Sequence, residues 1–112
     1  MNMLDYQDKA ATTAVYREKT GARTEKALTY ALIGLANEAG EACGKLKKVM
    51  RGDRPLEDAI EDIGAELGDV LWYLAMACDE LGLELNDVAA ANLQKLRGRA
   101  KAGSIRGDGD KR

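Results

Sequence analysis

The sequence predicts an all-α fold organised as a bundle of four helices, and three observations support this. Ala, Leu, Glu and Lys are plentiful, whereas proline occurs once and phenylalanine never, a composition that favours helix. Apolar residues recur at helical spacing through the middle of the chain. Gly21, Gly52 and Gly82 separate the periodic segments, as glycine does where helices end. No alternating apolar and polar segment predicts a strand.

The predicted helices cover residues 3–19, 25–50, 56–81 and 87–99. Thr24 and Asn86 are candidate N-caps of the second and fourth helices, and Pro55 lies where the third helix begins. Short connections between long helices favour antiparallel neighbours. Residues 1–112 are predicted to form a single domain, in which a tail rich in glycine and charge begins at about residue 100.

Composition excludes several classes of function. The net charge of −2 over 112 residues provides no general attraction to nucleic acid or to a membrane surface. No run of ~20 apolar residues is present, so a membrane-spanning helix is not expected. The opening stretch MNMLDYQDKA lacks the basic and apolar regions of a signal peptide, which predicts a cytoplasmic protein. A chain of this size would also gain stability from oligomerisation.

Two apolar stripes are predicted to form the core. On the second helix the stripe contains Leu28, Leu32, Leu35, Ala39, Ala42, Cys43, Leu46 and Met50. On the third helix it contains Ile60, Ile63, Leu67, Val70, Leu71, Leu74, Cys78 and Leu81. Because the two cysteines fall on these stripes and form neither a CxxC pair nor a disulfide framework, both are predicted to be buried and inert.

Two pairs of acids occupy matching positions on these two helices. A shift of 28 residues places Glu38 and Glu41 on Glu66 and Asp69. Four heptads would bring any two core helices into phase, but they do not explain matching acids, so an internal helix repeat is a hypothesis. The i, i+3 spacing puts the carboxylates of each pair ~5–6 Å apart on one side of a helix.

Solvent is the usual surrounding of such acids, but the third helix is also apolar on its acid side, where Trp72, Tyr73 and Met76 follow. A helix that is apolar nearly all round is buried on more than one side. The acids are therefore predicted to line an interior cleft or a surface covered by another subunit.

Converging carboxylates repel one another, and a divalent cation reverses that repulsion. The chain contains no histidine, so an all-oxygen ligand set is expected. Such a set favours Mg²⁺, with Mn²⁺ as a possible substitute, over zinc or a di-iron centre. Protein-bound Mg²⁺ commonly takes phosphate oxygens as further ligands, which predicts a phosphorylated substrate. Lys45, one turn beyond Glu41, would add positive charge around it.

The segments GLANEAGEACGKL and ELGDVLWYLA resemble the MazG-like, all-α nucleoside triphosphate pyrophosphohydrolases. The signature of that family is E-x-x-E, a spacer, and then E-x-x-D. Its four acids correspond here to Glu38, Glu41, Glu66 and Asp69. The resemblance implies that these four residues hold Mg²⁺ and are catalytic.

The ending NLQKLRGRAKAGSIRGDGDKR also resembles that of short single-domain members, through Asn92, Lys95 and Arg99. These residues are candidate substrate contacts near the sugar or phosphates. Over about residues 30–112, the resemblance implies a MazG-type four-helix fold that forms homodimers or homotetramers. It further implies hydrolysis of ribo- or deoxynucleoside triphosphates to the monophosphate and pyrophosphate.

Further roles follow as hypotheses. Tyr30, Trp72 or Tyr73 would stack on the base, although packing in the core or a dimer is the competing interpretation for Trp72. Glu38 or Glu41 would orient the attacking water. Gly40 and Gly68, also related by the 28-residue shift, are predicted to permit close helix approach behind the metal site.

Two alternatives remain open from the sequence. One is a narrower enzyme of the same superfamily, a dUTP or phosphoribosyl-ATP pyrophosphohydrolase. The other is a non-catalytic helical module that dimerises and binds partners through an apolar face. Metal-dependent turnover would distinguish the module from an enzyme, and substrate ranking would distinguish the enzymes.

Overall fold

A computed structural model of the chain describes residues 1–103. Its helices are α1 (Met3–Ala11), α2 (Arg17–Thr20), α3 (Glu25–Met50), α4 (Leu56–Glu80) and α5 (Leu85–Ala102). The described residues contain no strand, which confirms the all-α prediction. Within this range, no helix has the length and apolar character needed to cross a membrane.

The long helices α3 and α4 pack against each other as an antiparallel hairpin, and the boundaries predicted for both are confirmed to within one residue. Thr24 caps α3 as predicted, because its Oγ1 accepts a hydrogen bond of 3.0 Å from the amide of Ala27. Pro55 immediately precedes α4. After α4, Gly82 adopts a φ of 71°, a left-handed conformation that glycine tolerates and that turns the chain away.

The predicted first helix, residues 3–19, is wrong as a continuous element, because the chain leaves helical geometry between Ala11 and Arg17. The hydroxyl of Thr12 donates to the carbonyl of Lys9 at 2.6 Å, and that of Thr13 donates to Ala10 at 2.7 Å. Such local side-chain bonds compete with helix propagation. Thr13 Oγ1 also accepts a hydrogen bond of 2.9 Å from the indole of Trp72, which holds the break against α4.

The last helix is longer than predicted and starts differently. It begins at Leu85, so Asn86 is not its cap. The amide of Leu85 instead donates to Gln7 Oε1 at 2.7 Å, while Gln7 Nε2 donates to the carbonyl of Leu83 at 2.9 Å. The buried Gln7 side chain of α1 therefore makes the kind of hydrogen bond with the start of α5 that was expected of a local N-cap residue. The helix continues to Ala102, so most of the predicted tail lies outside the described residues.

The apolar stripes predicted for α3 and α4 are buried only in part: Cys78 is buried, and Leu28, Leu71 and Leu74 pack against the core. Ala27, Ala31 and Ala59 are fully buried. Many stripe residues are instead exposed, among them Leu32, Leu46, Met50, Ile60 and Leu67, which we call the apolar face. Met50 is 82% exposed and Ile60 is 60% exposed.

The predicted burial of both cysteines is correct for Cys78 and wrong for Cys43, which is exposed with the stripe on which it lies. The radius of gyration is 16.8 Å. A compact chain of about 100 residues has a radius near ~13 Å. The protomer is therefore extended, consistent with a hairpin that leaves one apolar side uncovered.

A buried carboxylate joins the start of the chain to the end of α4. The Glu80 side chain is fully shielded, and it accepts hydrogen bonds from the Tyr16 hydroxyl, from Arg17 Nε at 2.9 Å and from the Arg23 amide at 2.6 Å. Arg17 also pairs with Asp79 at 2.7 Å. Since a buried charge is tolerated only when it is paired, this network fixes the segment around α2 against the rest of the fold.

Candidate active site

Three of the four signature acids meet where α3 and α4 face each other. Glu38 on α3 and Glu66 and Asp69 on α4 each offer one carboxylate oxygen, and these oxygens lie within 4.8 Å of one another. The i, i+3 spacing keeps Glu66 and Asp69 on one side of α4, and the antiparallel hairpin brings Glu38 opposite them. Glu38 and Glu66 are half-buried, whereas Asp69 is exposed.

The electrostatics of this group favour a bound cation. The pKa of Glu38 is raised to about 7, first because its protonated form can hydrogen-bond to Glu66, and further by desolvation and the negative charges of Glu41, Asp69 and Glu66. Glu66 Oε2 is buried and has no hydrogen-bond partner within the described residues. An unpaired buried carboxylate oxygen is costly. Oxygen donors of this kind suit Mg²⁺ or Mn²⁺.

Glu41, the fourth signature acid, lies outside this group of three. It is exposed, and its charge contributes to the raised pKa of Glu38, so it borders the group. Together with Gly44 it lines a shallow pocket of about 230 Å³ whose other walls are Lys45, Lys47 and Lys48. Lys45, the predicted phosphate contact, therefore lies beside one signature acid, in a pocket rich in positive charge.

An aromatic cluster adjoins the acids. Tyr16 stacks on Tyr30 with ring centroids 4.6 Å apart, and Trp72 meets Tyr73 edge-on at 5.0 Å. Tyr16 and Trp72 also meet edge-on at 6.0 Å, while Tyr30 and Tyr73 are 6.2 Å apart. Tyr30 keeps an exposure of 44%, whereas Trp72 is half-buried and hydrogen-bonded to Thr13. Of the three residues predicted to stack on the base, Tyr30 is the most exposed.

The charges of the acids raise the pKa of two tyrosines: Tyr73, which is among the residues predicted to stack on the base, and Tyr6, which was not predicted. The pKa of Tyr73 is raised to about 12 by burial, by its hydrogen bond and electrostatic interaction with Tyr30, and by the charges of Glu38 and Asp69. The pKa of Tyr6 is raised by burial and then by the charge of Asp69. The Tyr73 hydroxyl therefore bonds to Tyr30 and lies in the field of the acid group, and the Tyr6 hydroxyl lies in the field of Asp69.

The C-terminal candidates Asn92, Lys95 and Arg99 lie on α5. Helix α5 packs on α1 and α4, and among the described elements it makes no contact with α3. Asn92 and Lys95 line a groove of about 530 Å³ on α5, whose other lining residues are Leu83, Asp87, Val88 and Ala91. Arg99 is buried, at 6% exposure. The substrate contacts expected of these three residues stay a prediction.

The glycine at the close contact between α3 and α4 differs from the two predicted from the sequence. A Cβ at Gly40 or Gly68 would have no atom of residues 1–103 within 4 Å, so the close helix approach predicted there is wrong for the single chain. The close approach occurs at Gly34, where a Cβ would lie 2.2 Å from the ring of Tyr73. A mid-helix glycine one turn before Glu38 was the available signal, but the partner that needs the space is visible only in three dimensions.

Comparison with known proteins identifies the family. The model of the MazG nucleotide pyrophosphohydrolase domain matches residues 24–104. This chain belongs to the MazG family. The MazG match begins at the cap of α3 and includes both acid pairs. Over 109 residues the chain is 38% identical to the Gene 37 protein of Mycobacterium phage L5, an alignment that covers 96% of each protein. No solved structure matches the chain.

Proposed function

We propose that this MazG protein is a Mg²⁺-dependent hydrolase that converts nucleoside triphosphates, ribo or deoxy, to the monophosphate and pyrophosphate. One observation carries the proposal: three carboxylates converge within 4.8 Å, and one of their oxygens, Glu66 Oε2, is buried without a partner among the described residues. Such an arrangement is unfavourable by itself and becomes favourable with a divalent cation.

Glu38, Glu66 and Asp69 would hold the ion, with Glu41 at the edge of the site. A bound Mg²⁺ supplies charge stabilisation for the phosphate oxygens and the leaving pyrophosphate. The family membership supports this chemistry, since the matched domain is described as a nucleotide pyrophosphohydrolase. The absence of histidine is consistent with an oxygen-only ligand set.

The remaining residues would bind substrate and move a proton. Glu41, outside the group of three, would orient a water and accept its proton as that water attacks the α-phosphorus. The bond from the α-phosphorus to the bridging oxygen then breaks, and pyrophosphate leaves. Lys45 and Lys48, which share a pocket with Glu41, would neutralise the phosphates. The exposed ring of Tyr30 would stack on the base.

We also propose that the working form is a homodimer or homotetramer. The apolar face of Leu32, Leu46, Met50, Ile60 and Leu67 is exposed on two adjacent helices. Contiguous apolar patches of this kind are typical of interfaces. A second copy of the same hairpin would match it in chemistry. In this assembly Asn92 and Lys95 would contact the substrate bound at the acids.

The test is direct. Purified protein is incubated with each common NTP and dNTP, including dUTP, and with phosphoribosyl-ATP, in Mg²⁺ and in EDTA. Monophosphate and pyrophosphate are then quantified. Mg²⁺-dependent release of equal amounts of both products supports the proposal, and the ranking gives the substrate preference. Turnover of dUTP or phosphoribosyl-ATP alone would replace it by the narrower enzyme. No turnover, together with no Mg²⁺ binding, would favour the helical module.

A further inference from the structure

Helix α3 contains one position that is sterically closed to any side chain. A Cβ built on Gly34 would lie 2.2, 2.4 and 2.6 Å from Cε1, Cδ1 and Cζ of Tyr73. These separations are far below the closest approach of real carbon atoms, about 3.0 Å. Gly40 and Gly44, on the same helix, would meet nothing within 4 Å. The ring of Tyr73 therefore occupies the space that residue 34 leaves empty.

This contact lies next to the acid group on both helices. Gly34 precedes Glu38 by one turn of α3, and Tyr73 follows Asp69 by one turn of α4. The charges of Glu38 and Asp69 both act on the Tyr73 hydroxyl, so the side chain lies close to both acids. On its other side the ring meets Trp72 edge-on at 5.0 Å. Tyr73 thus stands between the acid group and the aromatic cluster.

The packing leaves little freedom for an alternative arrangement. A side chain at position 34 would require either that Tyr73 leave its place between Trp72 and Tyr30 or that α3 move away from α4. Because packed helices move as rigid units, the second response would also separate Glu38 from Glu66 and Asp69 one turn away. The geometry at Gly34 and the geometry of the acid group are therefore linked.

We propose that Gly34 is a positioning residue for the acid site. By leaving room for Tyr73, it sets the separation of α3 and α4 at the level of the acids. This inference rests on the metal site of the proposed function, but it concerns the chain's own packing. It explains why the glycine at the helix contact is Gly34, which lies against Tyr73, rather than Gly40 or Gly68.

The experiment compares Gly34→Ala with the matched control Gly40→Ala in the full chain, together with Tyr73→Leu and the double variant Gly34→Ala/Tyr73→Leu. Mg²⁺ affinity is measured by titration calorimetry without nucleotide, and packing is followed by near-ultraviolet circular dichroism. The dichroism reports on the edge-on pair because Trp72 is the single tryptophan. Activity on the best substrate is measured in parallel.

We expect Gly34→Ala to weaken Mg²⁺ binding about tenfold or more and to change the near-ultraviolet spectrum, because Tyr73 is displaced. Gly40→Ala should keep affinity within about twofold and melt roughly 4–8 °C higher, since alanine favours helix. In the Tyr73→Leu background, Gly34→Ala should weaken Mg²⁺ binding by less than about threefold, because the clash with the Tyr73 ring has been removed.

Equal Mg²⁺ affinity for Gly34→Ala and Gly40→Ala would overturn the inference. So would a loss that persists at full size in the Tyr73→Leu background, since the contact would then not be its cause. If Gly34→Ala does not fold, the comparison of Tyr73→Leu with the double variant still decides whether the contact between residue 34 and Tyr73 affects Mg²⁺ affinity. A wild type that binds Mg²⁺ without hydrolysing any nucleotide would overturn the proposed function and leave this test valid.

Discussion

Glu38 and Glu66 project from antiparallel helices into one site, and the close approach of their carboxylates is the first cause of a Glu38 pKa of about 7. The fold thus brings together groups that repel at neutral pH. A site of this kind is held in a strained electrostatic state until a proton or a cation neutralises it. The predictions below follow from that state and from the contacts around it.

The metal-free protein should become less stable as pH rises. The folded pKa of Glu38, about 7, lies above the ordinary value of 4.5, so between these pH values the folded state keeps a proton that the unfolded state releases. The free energy of unfolding then falls across this window. Glu38→Gln should flatten the fall and make the metal-free protein more stable than wild type at pH 8. Urea unfolding in EDTA from pH 4.5 to 8 measures the stability of the wild type and of Glu38→Gln. Parallel curves of unfolding free energy against pH would contradict the assignment of the raised pKa to Glu38.

Removal of one charged ligand should abolish hydrolysis and leave the fold intact. Asp69 is exposed and asparagine is isosteric with it, so the helicity of Asp69→Asn should be unchanged. Turnover should fall by about a hundredfold or more, which is equivalent to ~2.7 kcal/mol or more of transition-state stabilisation. Asp62→Asn is the matched control, because Asp62 lies two turns earlier on α4 and pairs with Arg54 at 2.9 Å. The control should retain activity within about twofold. A comparable loss in both variants would indicate a general effect of charge.

Mg²⁺ should stabilise the protein through the acid group. Binding to the folded state alone adds about 2.7 kcal/mol when the free ion is present at 100 times its dissociation constant. Thermal unfolding in Mg²⁺ and in EDTA measures this shift. Glu66→Gln removes the carboxylate with the unpartnered oxygen and should remove most of the shift without lowering metal-free stability. A shift that survives in this variant would place the ion elsewhere.

Loss of the buried Glu80 carboxylate should destabilise the fold strongly. Glu80→Ala leaves the Tyr16 hydroxyl, Arg17 and the Arg23 amide without their acceptor, at a cost of roughly 3 kcal/mol. Glu18→Ala removes an exposed acid from the same region and should change the free energy of unfolding by less than about 0.5 kcal/mol. Denaturant titration of both variants tests this. Equally small changes in the free energy of unfolding of the two variants would show that the Glu80 network contributes little to stability.

A charge on the apolar face should break the assembly. Ile60 is 60% exposed in the protomer, so Ile60→Glu should be tolerated within a single chain but should prevent a second copy from covering the face. Val15→Glu, at a residue that is 73% exposed on the connection between α1 and α2, is the matched control. Sedimentation velocity should find the wild type and the control associated and Ile60→Glu shifted to the monomer. A monomeric wild type would refute the interface.

Local features were predicted correctly where they depend on neighbours along the chain. The limits of α3 and α4, the Thr24 cap and the turns at Gly52 and Gly82 follow from propensity and capping, which act within a few residues. The break after Ala11 and the start of α5 were missed. The start of α5 depends on Gln7, a partner distant in sequence. The break combines the local hydroxyl bonds of Thr12 and Thr13 with the distant contact of Thr13 to Trp72.

The sequence by itself determined that this protein is helical, that its two long helices carry matched acid pairs, and that these pairs resemble those of the MazG family. Periodicity defines the faces of a helix, but it does not say which face meets which neighbour. That choice was made by tertiary packing, which buried Ala27, Ala31 and Ala59, set Gly34 against Tyr73 and left part of each leucine stripe exposed. Close helix approach requires small residues at the contact, and only the fold shows that Tyr73 fills the space above Gly34.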